Sequence, residues 1–296
     1  MLKYITSIIA ISGLIFFLAC QKRENIIPEI VTPDPLPEIE TGKVLSEILL
    51  SSERKGNTYE LINSVFAPGY NVVEAPDCSH ESFGRHIDEV FDNELNKNVF
   101  RFHIHKTPDN DRCKNFDRQR NEIKTYDKSP DGLLGVKGEK VVYSWSFKLS
   151  GDFKSSSSFT HIHQLKAVGG EEESMPLITL TTRKGAPDRL ELRYAERTSQ
   201  TTLESTDLSH FKGQWVHVVE TVIFGEKDNG AYKIEITDIT NKKTLFSYSN
   251  TEIRMWKTNA SFMRPKWGIY RSLNNASDLK DEQVLFADFK VQEIEN

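Results

Sequence analysis

Three short segments of this chain place ionisable side chains two residues apart, the spacing that gathers them on one side of a β-strand. They are Arg118-Gln119-Arg120-Asn121-Glu122-Ile123-Lys124, His161-Ile162-His163-Gln164 and Lys266-Trp267-Gly268-Ile269-Tyr270-Arg271. Side chains alternate faces along a strand, so Arg118, Arg120, Glu122 and Lys124 share one face with Ile123 on the other. By the same parity His161 and His163 share a face opposite Ile162, and Lys266 and Tyr270 share one opposite Trp267 and Ile269. Each segment offers an apolar side to a core and a cationic or proton-transferring side to a surface. If the three are neighbours in one sheet, that surface holds an anion and moves a proton.

The residue types suit that chemistry. A guanidinium is always charged and can grip a carboxylate through two hydrogen bonds, which is the task given to Arg120. Histidine titrates near neutrality, so His163 is a candidate base, and His161 adds a hydrogen bond. A cation beside a phenol, here Lys266 or Arg120, favours the phenolate, so Tyr270 can take a proton or return one. Arg101, His103, His105, Arg118, Glu122, Lys124, Gln164 and Arg271 are the candidate substrate contacts around these groups.

The three segments resemble the jelly-roll polysaccharide lyases, the group of alginate lyases, glucuronan lyases and heparin lyase I-like enzymes. Those enzymes carry an R-x-E-x-R/K strand, a Q-x-H strand and a late K-x-G-x-Y strand. The counterparts here are Arg120 to Lys124, His161 to His163 and Lys266 to Tyr270, in the same order, with His161 at the family's glutamine position. The resemblance implies an all-β, concanavalin-like jelly-roll sandwich that cleaves a uronate-containing polysaccharide by β-elimination. It also implies a catalytic set of Arg120, His161, His163, Lys266 and Tyr270. In that chemistry the proton on C5, alpha to the carboxylate, is acidic only if the growing negative charge is neutralised. Donors aimed at such charge usually supply the largest catalytic term. Whether His163 or Tyr270 is the base depends on syn or anti elimination and is left open.

The elements that must position these residues are strands. Period-two alternation runs through residues 99–106, 141–149, 177–183, 189–197, 215–224, 233–239 and 285–294, and turn signals such as Gly169-Gly170 and Asp228-Asn229-Gly230 separate the runs. A few short peripheral helices are expected, at residues 41–50 and 81–95, the second capped by Ser79 or Ser82. Ser155-Ser156-Ser157-Ser158 reads as a low-complexity turn without a nucleophile role.

Residues 1–19 read as a lipoprotein signal peptide. Lys3 precedes an apolar run that ends at Leu18-Ala19-Cys20, and a mature chain would begin at a lipidated Cys20. Residues 20–42, with Pro28, Pro33, Pro35 and Pro37, read as an extended tether. Residues 43–296 are then one catalytic β-domain of about 250 residues. The expected location is the cell envelope, anchored by lipid to the outer membrane, with a monomer as the working state. Cys78 and Cys113 remain as an even pair, and a disulfide between them is expected in an oxidising compartment. The net charge of −5 argues against nucleic-acid binding, yet a local basic cleft can still hold an anionic polysaccharide.

Competing readings concern the same residues. His103 and His105 could chelate a metal with His161 and His163, but no glutamate follows at the spacing a cupin-like site needs. No catalytic metal or cofactor is therefore assigned. A structural calcium on Asp109 and Asp111 is the single cation for which the sequence leaves room. A carbohydrate-binding lipoprotein without catalysis would use exposed aromatics, with Trp256 and Trp267 as candidates. A jelly-roll glycoside hydrolase would pair carboxylates from Glu122, Glu191 and Glu220.

Overall fold

The computed structural model describes residues 42–53 and 56–296. The leader, Cys20 and the tether up to residue 41 lie outside the described residues. In chain order the strands begin with β1 (Val44–Leu50), β2 (Val73–Glu74), β3 (Ile87–Asp92), β4 (Lys97–Ile104) and β5 (Arg118–Lys124). They continue with β6 (Lys140–Leu149), β7 (Thr160–Val168), β8 (Ile178–Arg183), β9 (Arg189–Tyr194) and β10 (Thr201–Asp207). The last are β11 (Trp215–Ile223), β12 (Ala231–Asp238), β13 (Thr244–Asn250), β14 (Phe262–Ser272) and β15 (Glu282–Ile294).

These strands form two antiparallel sheets. One has the order β13-β12-β11-β6-β15-β4-β3, with β1 paired to the end of β15 beyond β4, and the other the order β10-β9-β8-β7-β14-β5-β2. The architecture is the all-β jelly-roll sandwich. Alternation explains the core between the sheets. Val141, Tyr143, Trp145, Phe147 and Leu149 of β6 all point inward and are buried. Trp267 of β14 meets them from the other sheet, with its ring centroid 5.9 Å from Trp145 and 5.1 Å from Phe289. Aromatic pairs at such separations add to the area they bury.

The helix expectations need correction. Residues 44–50 form β1, and 87–92 form β3, each at a sheet edge where β15 or β4 offers a ladder. An available ladder outweighs weak local helix preference. The α-helix among the described residues is α1 (Thr58–Phe66), which buries Thr58, Ile62 and Phe66 at four-residue steps. Phe66 lies 5.9 Å from Trp267, so α1 closes the core behind the strand that carries Tyr270.

The middle of the seven-stranded sheet is irregular in a way that decides the site. Two residues of β7, His161 and His163, face consecutive residues of β8, Thr181 and Leu180. The step from Trp267 to Tyr270 on β14 likewise faces the shorter step from His163 to His161. On β7 the extra residue breaks the alternation, so His161 and Gln164 face one side and His163 the other, while β14 keeps its phase from Lys266 to Tyr270.

Candidate active site

The strands β5, β7 and β14 are neighbours, and their outward side chains floor a cleft of about 570 Å³. Register sets Tyr270 beside Arg120 and His161, Lys266 beside Lys124 and Gln164, and Gly268 beside Glu122. Three segments far apart in sequence thus share one surface.

Tyr270 lies at its centre. Arg118 Nη1 donates to the Tyr270 hydroxyl oxygen at 2.9 Å, and the Arg120 guanidinium carbon lies 3.7 Å from the ring centroid. With Arg118 on one lone pair, the oxygen keeps another free to accept a proton from a ligand. Negative charge on that oxygen would face two permanent cations. His161 stands across from it, ring centroids 5.9 Å apart, with Nδ1 2.7 Å from Thr181 Oγ1 and Phe159 stacked on its ring at 4.7 Å. Burial pushes the His161 pKa down to about 3; Glu122 opposes the fall, and Arg183 and Arg120 add to it. It is a neutral imidazole near pH 7, able to share a hydrogen bond but weak as a base.

An ion-pair layer underlies these groups. Lys266 Nζ lies 2.5 Å from Glu74 Oε2 and 2.8 Å from Glu122 Oε2. Lys124 and Arg112 reach Glu74 Oε1 at 2.8 and 2.7 Å. Arg120 pairs with Glu122 and donates through Nε to Asp111 Oδ1 at 3.0 Å, while Gln164 also donates to Glu122. Burial alone would raise the Glu74 carboxyl, but Lys266, Lys124, Arg120 and Arg112 hold it far below the usual carboxylate range. Glu122 is held low in the same way, against burial, by Lys266 and Arg120. Removing one partner of such a set leaves a buried charge uncompensated, at a cost of about 3–5 kcal/mol. The network therefore fixes where Arg120 and Lys266 can be.

The cleft wall is strongly cationic. Arg112, Arg118, Arg120, Arg183, Arg264, Lys166 and Lys266 line it, against one carboxylate among the described residues, Glu74. Burial, helped by Lys266, Arg264 and Arg120, pushes Lys166 down to about 8.

Comparison with known proteins decides the family. The sequence model described as polysaccharide lyase matches residues 86–290. The chain belongs to the polysaccharide lyase family. Solved structures with the same fold include an alginate lyase from Aplysia kurodai, at 14% identity and a TM-score of 0.56, covering 84% of this chain and 98% of that one. The alginate lyase Aly36B, solved with an alginate trisaccharide, has 12% identity and a TM-score of 0.53, covering 86% of this chain and 100% of that one. At these identities the likeness is one of fold. No curated protein matches the chain.

The lyase gathers part of the expected residue set in its cleft. Arg118, Arg120, His161, Gln164, Lys266 and Tyr270 line it; Glu122 and Lys124 support it from the ion-pair layer. His163 is a correction. The bulge turns it into the core, where its Nε2 lies 2.9 Å from Glu220 Oε2 and its ring 4.4 Å from Trp145. Gln164 takes the outward place that simple parity gave to His163.

Arg101, His103 and His105 do not share the cleft either. They belong to β4 and the loop after it, off the seven-stranded sheet, where Arg101 and His103 pair with Asp88 and His105 with Asp109. Arg271 is fully buried and donates to Gln119 and to the Lys280 carbonyl oxygen. Trp256 and Trp267 are buried, so neither is a platform for sugar stacking. Glu220 accepts from Tyr232 on the neighbouring strand and Glu191 pairs with Arg193, so the three carboxylates considered for hydrolysis serve separate partners. Asp109 and Asp111 also diverge, the first toward histidines and the second toward Arg112 and Arg120. Cys78 and Cys113 are joined by a disulfide with Cα atoms 6.3 Å apart. The serine turn forms cleft rim, with Ser157 Oγ donating to Asp278.

Several lining residues escaped the sequence reading. Arg264 and Lys166 continue the outward parity of Lys266 and Gln164, so extending period two along β14 and β7 finds both. Glu74 lies on a two-residue strand, too short to show alternation, and Arg112 on a loop; neither carries a local signal.

Proposed function

We propose that this cleft binds a uronate-containing polysaccharide and cleaves it by β-elimination, with Tyr270 moving the proton. The observation that carries the reading is the Tyr270 hydroxyl, held by Arg118 and backed by Arg120 in a cleft whose wall is cationic although the chain is net acidic. Arg120 and Lys266 supply positive potential at the sugar carboxylate, and His161 and Gln164 supply hydrogen bonds. The carboxylate then carries the enolate-like charge that develops when C5 loses its proton.

Tyr270 is the group suited to both proton transfers. His163 is walled off in the core, and His161 is a weak base. The Tyr270 oxygen, as phenolate, takes the C5 proton; the C4–O bond breaks as the C4–C5 double bond forms; the same oxygen gives the proton to the leaving O4. One group can serve both atoms only if they lie on one face of the ring, so the elimination is syn. In glucuronate and mannuronate H5 and O4 share a face, and in their C5 epimers, iduronate and guluronate, they do not. The reading therefore favours glucuronate or mannuronate polymers.

The test is ultraviolet absorbance of the unsaturated product from polyglucuronate, polymannuronate and polyguluronate, with Tyr270→Phe alongside. Activity on either of the first two should fall by about 10²-fold or more in the variant, as for a lost general acid–base group. Full activity in Tyr270→Phe would refute the assignment, and preference for polyguluronate would refute the syn geometry. Residues 1–19 are further proposed as a lipoprotein signal peptide, and residues 20–42 as a tether that anchors the enzyme to the cell envelope through lipid on Cys20. Labelled fatty acid should enter the wild type and be absent from Cys20→Ala.

A further inference from the structure

A second cluster of chemistry-bearing groups lies outside the cleft. His80, His86, His105 and Asp109 each offer a ligand atom, and these atoms all lie within 4.8 Å of one another. His80 Nδ1 is 3.0 Å and His86 Nε2 3.3 Å from Asp109 Oδ1, and His105 Nδ1 is 3.2 Å from Asp109 Oδ2. Ligands at zinc bond lengths on a regular tetrahedron are about 3.3 Å apart. We propose that His80, His86, His105 and Asp109 form a four-coordinate structural zinc site.

His86 is fully buried, and among the described residues its Nε2 makes no well-directed hydrogen bond, although Asp109 Oδ1 lies 3.3 Å away. Its other nitrogen, Nδ1, is 2.8 Å from Asp77 Oδ1, an oxygen that also accepts from the His86 backbone N–H. Two carboxylates flank the ring, Asp77 at Nδ1 and Asp109 at Nε2; without a metal they favour the imidazolium, and a zinc ion would take the place of the Nε2 proton. A bare Nε2 lone pair facing a carboxylate oxygen would be repelled by it, so a cation, proton or zinc, belongs between the two. The carboxylate–histidine–metal relay has this arrangement. Asp109 Oδ2 is meanwhile fixed by the His105 backbone N–H at 2.6 Å.

The donor set selects the ion. Three imidazoles and one carboxylate suit zinc, whereas calcium takes six to eight oxygens. Four protein ligands fill a tetrahedron, which marks a structural rather than a catalytic centre. Phe83 covers the group, its ring centroid 4.3 Å from His105 and 4.8 Å from His86.

The ion would tie together two loops. His80 and His86 precede β3; His105 and Asp109 follow β4; the Cys78–Cys113 disulfide joins the same two segments. Two residues beyond Asp109, Asp111 accepts from Arg120 Nε at 3.0 Å. The zinc therefore also steadies the loop that orients a cleft arginine.

The experiment strips the purified full chain with a chelator and returns Zn²⁺ alone, with metal content, calorimetric titration and melting as readouts. One zinc per chain and a rise of several degrees in Tm on its return are expected. Co²⁺ in place of zinc should give the intense visible absorption of a four-coordinate nitrogen–oxygen site. His86→Ala should abolish stoichiometric uptake, and Asp77→Asn should weaken it by about 10–100-fold. His217→Ala, a histidine elsewhere, should leave it unchanged. Stripped wild type that takes up no zinc at micromolar free metal overturns the proposal, as does stoichiometric uptake retained by a folded His86→Ala. The wild-type titration decides the matter even if a variant fails to fold.

Discussion

His161 and His163 are two residues apart and yet live in different media. His161 faces the cleft beside Tyr270; His163 is sealed between the sheets with Glu220. Because His161 keeps its imidazole neutral until about pH 3, while the unfolded chain protonates it near 6.5, the unfolded state binds the extra proton between those values. Stability from this residue is fully present above pH 6.5 and is lost as pH falls toward 3. Urea melts of wild type and His161→Gln across that window should differ in slope by up to about 1.4 kcal/mol per pH unit. Parallel curves would show that the imidazole is not held neutral. The period-two rule made the chemistry of Arg120 and Tyr270 legible in the sequence, since their strands keep phase between them. It misplaced His163 because the bulge at Ile162 arises from pairing with β8 and β14, which no local pattern records.

At the scale of the element, β14 carries the cleft on one face and the core on the other, and Gly268 is what lets it lie so close to β5. Gly268 has φ of 142°, and a Cβ there would meet Asn121 O at 2.1 Å and Glu122 Cα at 2.7 Å. Backbone cannot retreat from that contact as a side chain could. Gly268→Ala should therefore cost about 1–3 kcal/mol, from strain at a φ that other residues rarely adopt. It should also push β5 away and misplace Arg120 and Glu122, so catalysis falls further than stability alone requires. Thermal melting paired with kcat/KM of the folded fraction reads both; a variant that melts and turns over like wild type would sink the argument. The glycine in K-x-G-x-Y was visible in the sequence, but its reason is steric and appears only with β5 beside it. The two misread helices have a similar origin. β1 and β3 are edge strands whose identity comes from β15 and β4, whereas α1 carries its buried four-residue steps in its own sequence.

Over the whole molecule, charge is divided in space. A chain of net charge −5 presents a wall of arginine and lysine on one sheet, and local potential rather than the sum governs what enters. Which basic residues join that wall depends on sheet membership. Arg101, His103 and His105 have the right types and spacing, but the order of strands assigns them to the other sheet, a fact set by pairings across more than a hundred residues. The rim cations, Arg183 and Arg264 among them, act on a polymer over distances that salt can screen; the Arg118 to Tyr270 contact at 2.9 Å is too short for ions to enter. Raising salt from about 0.1 M to about 1 M shortens the screening length from about 10 Å to about 3 Å. KM for a polyanionic substrate should then rise several-fold while kcat stays nearly constant. The same series with a short uronate oligomer, which reaches fewer rim cations, should show a smaller rise. Equal salt responses for polymer and oligomer would mean that the wall does not recruit the chain, and a fall in kcat instead would mean that the screened charges are those beside Tyr270.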